Sequence, residues 1–110
     1  MPSERTNTIK GIEVKPNLVV FVDVDDTLVR SAGSKRIPMS MVIDRIRKFF
    51  ADGAILYLWS TGGAEYAKDT ATELGIANCF TGFLPKPHVM IDDQPVSEWR
   101  DFVHIYPLNS

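Results

Sequence analysis

The chain has 110 residues, of which 45% are hydrophobic and 24% charged, with a formal net charge of −2. That length allows one domain with its own core, and the composition excludes a disordered or fibrous chain. The charge gives no general attraction to nucleic acid or to an anionic membrane, and the single cysteine, Cys79, excludes an internal disulfide.

No window approaches the roughly 20 apolar residues that a spanning helix needs. The opening stretch, MPSERTNTIKGIEVKP, lacks the apolar centre of a secretory signal. The expected location is therefore cytoplasmic, and a lone thiol suits that reducing compartment. Cys79, beside Phe80, reads as a small buried hydrophobe rather than a nucleophile.

Residues 1–15 read as a polar N-terminal arm in which Ile9, Ile12 and Val14 allow a short edge strand, and residues 16–110 as a single domain. Leu18 to Val22 is a continuous apolar run, the pattern of a strand covered on both faces. It ends in Asp23, Asp25 and Asp26. The polar stretch from Arg30 to Arg36, with Gly33 in it, reads as a loop. A helix is expected from about Pro38–Ser40, with Val42, Ile43, Ile46, Phe49 and Phe50 at helical spacing and Asp52-Gly53 as its stop. Ala54 to Trp59 is a second apolar strand, ended by Ser60-Thr61-Gly62-Gly63. A second helix is expected over Ala64 to Leu74, stopped by Gly75. Cys79-Phe80 suggests a very short third strand. Val89 to Ile91 reads as a strand running into Asp92-Asp93, Val96 to Arg100 as a turn or two of helix, and Phe102 to Tyr106 as a last strand before Pro107. Alternating strands and helices predict an open α/β sheet, in which ligands bind at the carboxyl ends of the strands.

Three polar clusters fall at those ends. Asp23 and Asp25 close the first strand and Asp92 and Asp93 follow another. If the two strands are neighbours, three or four carboxylates converge, and such a set calls for a hard cation with oxygen ligands, Mg²⁺ first. Ser60, Thr61 and Gly62 place a hydroxyl and close-approaching backbone before a helix N-terminus, which cradles an anion. A phosphate bridging metal and cradle uses both features.

The segment Asp23-Val24-Asp25-Asp26-Thr27-Leu28 resembles the first motif of the haloacid dehalogenase superfamily, in particular of its phosphatases. The strand ending in Ser60 is similar to the second motif and Val89 to Asp93 to the fourth, so the likeness spans about Leu18 to Asp93. It implies a three-layer, Rossmann-like α/β domain with a mostly parallel central sheet. It also implies a Mg²⁺-dependent phosphatase. Asp23 is then the nucleophile that forms an aspartyl-phosphate, and Asp25 the general acid and base. Ser60, with Thr61 and Gly62, holds the phosphate. Mg²⁺ is held by Asp23, by the backbone carbonyl of Asp25 and by Asp92, with Asp93 assisting. An acid at Asp25, which related dehalogenases lack, points to phosphate rather than halide.

The third motif of the superfamily is a lysine or arginine that pairs with the nucleophile, and Lys86 is the candidate ahead of Asp92. It lies only six residues before Asp92, a span of about 20 Å when extended, so it reads either as that cation or as a loop lysine. Lys35, Arg36 and Arg30 are the substitutes. His88 and His104 read as packed or edge histidines, and Trp59 and Trp99 as packing residues.

About a dozen residues separate Thr27 from the first helix, which leaves no room for a cap domain. The site is expected to be open, to take a phosphorylated small molecule or macromolecule as partner, or to borrow a lid from a second copy in a homo-oligomer. No membrane partner and no specific nucleic acid is indicated. Two other readings compete. One is a catalytically weak metal- and phosphate-binding or regulatory module. The other is a phosphoacceptor receiver, disfavoured by its order: a receiver has an acidic pair after the first strand and its phosphorylated aspartate after the third, whereas here the strand-end acids after Asp26 come only at Asp92, with Ser60 before them.

Overall fold

The computed structural model describes residues 7–107. The first six residues of the expected arm, and residues 108–110, lie outside them. Two antiparallel hairpins flank a three-stranded parallel sheet that carries two helices.

The sheet holds the domain together. Strand β3 (Val19–Asp23) pairs in parallel with β6 (Ile55–Ser60), and β6 with β7 (Gly82–Pro85), so the order is β3-β6-β7. Helix α1 (Ser40–Ala51) connects the first two strands and α2 (Ala64–Glu73) the last two. Both crossovers step the sheet in the same direction. Since such crossovers are right-handed, both helices fall on one face.

Burial follows that geometry. Val20, Val22, Leu56, Leu58 and Phe83 share the helix-covered face by register, and Val22, Leu56 and Leu58 are buried there with Val42, Ile46 and Phe49 of α1 and Ala67 and Ala71 of α2. The other face carries Val19, Phe21, Tyr57, Trp59 and Leu84. No described helix covers it, and its aromatic residues pack on one another, with Phe21 4.8 Å from Trp59 and 5.3 Å from Tyr57 between ring centroids.

The described residues therefore form two layers, not the three expected. The described C-terminal segment supplies neither the helices that would cover the other face nor further strands: Val89 to Ile91 and Phe102 to Tyr106 join no ladder, and a 3₁₀ turn at Val96–Glu98 is the regular element there. Three residues separate β7 from Val89, whereas a parallel neighbour needs a crossover of about a dozen or more. Cys79-Phe80 is not the third strand either. The 3₁₀ turn Ala77–Cys79 tucks both side chains into the core, and the strand begins at Gly82.

Two hairpins stand where an arm and a loop were expected. The expected loose arm contains β1 (Asn7–Ile9) and β2 (Ile12–Val14), joined by Lys10-Gly11 with φ of 53° and 79°. Positive φ at both positions makes the tight turn whose twist suits a two-residue hairpin, and it sends Ile9 and Val14 into the core. The expected loop after β3 contains a second hairpin, β4 (Val29–Ala32) with β5 (Lys35–Pro38). It is far too small to be a cap. No helix of the described residues is long and apolar enough to cross a membrane.

Candidate active site

The parallel register sets the carboxyl ends of all three strands on one rim. Asp23 ends β3, Ser60 ends β6 one residue beyond Trp59, which pairs with Asp23, and Pro85 pairs with Ser60. The next residue along β7 is Lys86, whose backbone N–H donates to the Ser60 carbonyl at 2.9 Å. Lys86 is thus pinned to the rim that holds Asp23. Its side chain crosses the Trp59 ring, 5.7 Å from the centroid, and its Nζ ends 3.1 Å from Asp23 Oδ1. The short span from Lys86 to Asp92 does not carry Lys86 away from Asp23, because Lys86 is on the rim and it is Asp92 that lies off the sheet.

The other Asp23 oxygen, Oδ2, accepts a long hydrogen bond from Thr27 Oγ1 at 3.3 Å. Thr27 is brought back by the turn after β3, in which the Val24 carbonyl accepts the N–H groups of Thr27, Leu28 and Val29. Val24 and Leu28 are fully buried beneath that turn, which fixes the backbone carrying Asp25.

Asp25 is exposed, and its Oδ1 accepts the Tyr66 hydroxyl at 2.7 Å. Tyr66 is in turn held by Arg36 of β5, whose Nη2 donates to the Tyr66 oxygen and to Thr70 Oγ1, both at 3.0 Å. The guanidinium lies over the Tyr66 ring and reaches Glu73 at 3.7 Å. Arg36 does not serve Asp23, as the sequence allowed; it ties the second hairpin to α2. Desolvation, followed by the hydrogen bond and charge of Asp25, raises the Tyr66 hydroxyl pKa, while Arg36 opposes the rise. The phenol therefore stays a donor toward Asp25.

Ser60 is buried, and its Oγ accepts the Gly62 N–H at 3.0 Å, which leaves the hydroxyl proton available to a ligand. Gly62 is required by its neighbour: a Cβ there would meet Tyr66 Cδ2 at 2.9 Å. Helix α2 begins after Gly63 with no side-chain cap on its N-terminus, so its first N–H groups remain for an anion. Thr61 is exposed beside them.

Asp92 and Asp93 lie apart from this assembly as described. Both are exposed, and Asp92 Oδ1 accepts the Gln94 N–H at 2.9 Å in a local turn. Among the described residues no group of three or more His, Cys, Asp and Glu side chains is arranged to hold a metal. The donors at the rim are the Asp23 and Asp25 carboxylates. With Asp25 engaged by Tyr66, the Asp23 carboxylate is the side-chain donor that suits Mg²⁺, which keeps several waters and takes as few as one carboxylate when a substrate phosphate supplies further oxygens.

Tyr66 and Thr27 were missed by sequence reasoning. The available signal for Tyr66 was its place in the first turn of the helix that follows the glycine pair, where a side chain faces the strand ends. His88 and His104 stay outside the site, with His104 stacked on Tyr106 at 4.1 Å. Trp59 is half-buried beneath Lys86 instead of in the core. Burial pushes the Cys79 thiol pKa up, as suits an inert packing residue.

In comparisons with known proteins, residues 2–104 match the family described as a protein of unknown function, DUF705. No curated protein and no solved structure matches the chain.

Proposed function

The chain belongs to the DUF705 family, and from its strand-end site we propose that it is a Mg²⁺-dependent phosphohydrolase of haloacid dehalogenase type, acting through an aspartyl-phosphate on Asp23. One observation carries the reading: Lys86 Nζ lies 3.1 Å from Asp23 Oδ1, on the rim that also holds Ser60 and the start of α2. A carboxylate held by a cation beside an anion cradle suits a nucleophile for phosphate better than it suits a structural ion pair.

The proposed chemistry follows from those groups. The substrate phosphate sits between the Ser60 hydroxyl, the first N–H groups of α2 and Lys86, which together offset its charge. The Asp23 oxygen not paired with Lys86 attacks phosphorus, and the bond from phosphorus to the leaving oxygen breaks. Asp25, protonated on Oδ2 while Oδ1 accepts from Tyr66, gives its proton to that oxygen. Asp25 then takes a proton from water as the water attacks the aspartyl-phosphate, which releases inorganic phosphate and restores Asp23. Mg²⁺, held by the Asp23 side chain and the Asp25 backbone carbonyl, would let the carboxylate and phosphate approach one another. The short β4–β5 hairpin leaves room for a phosphorylated group on a small molecule or on a macromolecule.

The test is phosphate release from an aryl phosphate and from a panel of phosphorylated metabolites, with added Mg²⁺. Turnover by the wild type that disappears in Asp23→Asn supports the proposal. A folded wild type without turnover favours the binding or regulatory module, a reading also favoured by the separation of Asp92 and Asp93 from Asp23.

A further inference from the structure

Strand β3 is an outer strand. Its one ladder is with β6, and no described strand pairs its other edge. Val19 and Phe21 on it are 55% and 45% exposed. Elsewhere lies a segment with the opposite deficiency. Val89, Met90 and Ile91 are three successive apolar residues outside any helix or strand, and Ile91 is 98% exposed. Among the described residues their backbone groups make no hydrogen bond. An unpaired edge and an extended apolar segment are the two halves of a β-pairing.

They cannot meet within one chain in the parallel sense. Lys86 is fixed at the carboxyl end of the sheet by its bond to Ser60. A strand on the free edge of β3 lies three strand spacings from β7, about 14 Å, and Val89 must also drop about 13 Å toward the amino ends for Asp92 to stand level with Asp23. The straight-line gap is about 19 Å. The four Cα steps from Pro85 to Val89 reach at most about 14 Å, and the path must also pass around the sheet. The antiparallel alternative within the chain carries Asp92 and Asp93 to the wrong end and sets acids against Val19.

We propose that Val89–Ile91 pairs in parallel with β3 of a second copy of this chain, and so sets its Asp92 beside the partner's Asp23. The sequences match in that sense: Val20-Phe21-Val22-Asp23 lies along Val89-Met90-Ile91-Asp92, apolar against apolar and acid level with acid. The acids then stand at the rim where Lys86 and the start of α2 offset their charge. Each site gains its third carboxylate from the other copy. The catalytic consequence rests on the phosphohydrolase reading, whereas the strand pairing does not.

The test uses the full chain with Cys79→Ala to remove the native thiol and Asp23→Cys with Asp92→Cys on the same chain. Neighbouring strands bring the two sulfurs within disulfide reach. Mild oxidation is expected to give a product of doubled mass on denaturing electrophoresis, reversed by reductant. A disulfide within one chain, or none, overturns the proposal. Sedimentation of the wild type is expected to show a dimer that Ile91→Pro converts to a folded monomer, because proline removes the N–H that in this register donates to the Phe21 carbonyl on the free edge of β3. A monomeric wild type, or an Ile91→Pro dimer, overturns it equally. If the wild type hydrolyses phosphate esters, mixing inactive Asp23→Asn with inactive Asp92→Asn should restore about a quarter of the rate, since half of the reassorted dimers carry one intact site of two. No recovery then overturns the delivery of Asp92. If the cross-link forms but the wild type shows no turnover, the exchange stands and the phosphohydrolase reading falls.

Discussion

Two stretches of this chain carry nearly the same message and meet different fates. Leu18 to Asp23 and Val89 to Asp93 are both apolar runs that end in acid. The first is a strand in the sheet; the second is extended, exposed and unpaired. The difference is in the connection. Between β3 and β6 the chain has a hairpin and a helix, which is ample for a crossover, while β7 and Val89 have three residues between them. Local pattern says what a segment is able to pair with, and chain length decides whether a partner is within reach. The same contrast divides the carboxylates: Asp23 has a cation and a hydroxyl around it, and Asp92 has the Gln94 N–H.

The largest expected effect tests the ordered side of that comparison. Asp23→Asn should lower turnover at least about 10³-fold, because a neutral amide neither attacks phosphorus nor pairs with Lys86. The far-ultraviolet circular dichroism should not change. A variant that keeps more than a tenth of the rate would remove Asp23 from the role of nucleophile.

Stability should divide along the same line. Leu58 is fully buried between the sheet and the helices, so Leu58→Ala should cost about 2–5 kcal/mol in urea unfolding. Ile91→Ala, measured at a concentration where the protein is monomeric, should stay within about 0.5 kcal/mol, since the side chain is already in water. Equal costs at the two positions would mean that Ile91 is packed within its own chain.

Lys86→Met should lower kcat about 10²-fold by removing the charge beside Asp23, with Lys35→Met as the control that leaves the rate unchanged. This pair separates two of the four cations that the sequence offered. A rate loss in Lys35→Met but not in Lys86→Met would move the site toward the second hairpin.

Much of the frame was legible because periodicity and stop signals agree. Val42, Ile46 and Phe49 mark α1 and Gly53 follows it; the run from Ala54 to Trp59 marks β6. Strand β7 was hidden by its own composition, a glycine, a proline and Lys86-Pro87 after it. It tolerates Pro85 because it is an edge strand, where a missing N–H can face away from the ladder. The acids, Ser60 and the glycine pair stood out because polar residues at the ends of apolar strands are costly without a use. Tyr66 and Arg36 did not, since an aromatic residue in an amphipathic helix and an arginine in a polar stretch each have an ordinary surface explanation. Their pairing across 30 residues comes from the fold, which lays β5 against α2.

The smallest expected loss of turnover belongs to that pair. Tyr66→Phe keeps the ring that Gly62 accommodates and removes the hydroxyl from Asp25 and Arg36. About a tenfold fall in kcat with KM unchanged is expected, because the phenol orients Asp25 without touching the substrate. Stability supplies the second readout. The Tyr66 hydroxyl has its pKa raised in the fold, first by burial and then by Asp25. A raised value means that the folded state favours the protonated phenol. The stabilisation it contributes is fully present below the ordinary value of 10.0 and is lost as pH rises through the higher folded value. The stability difference between wild type and Tyr66→Phe should therefore be flat from about pH 6 to pH 9 and shrink above about pH 10. A difference that instead grows with alkali would mean that Arg36, not Asp25, is the stronger partner of the phenol, and that the second hairpin is held to α2 by a phenolate.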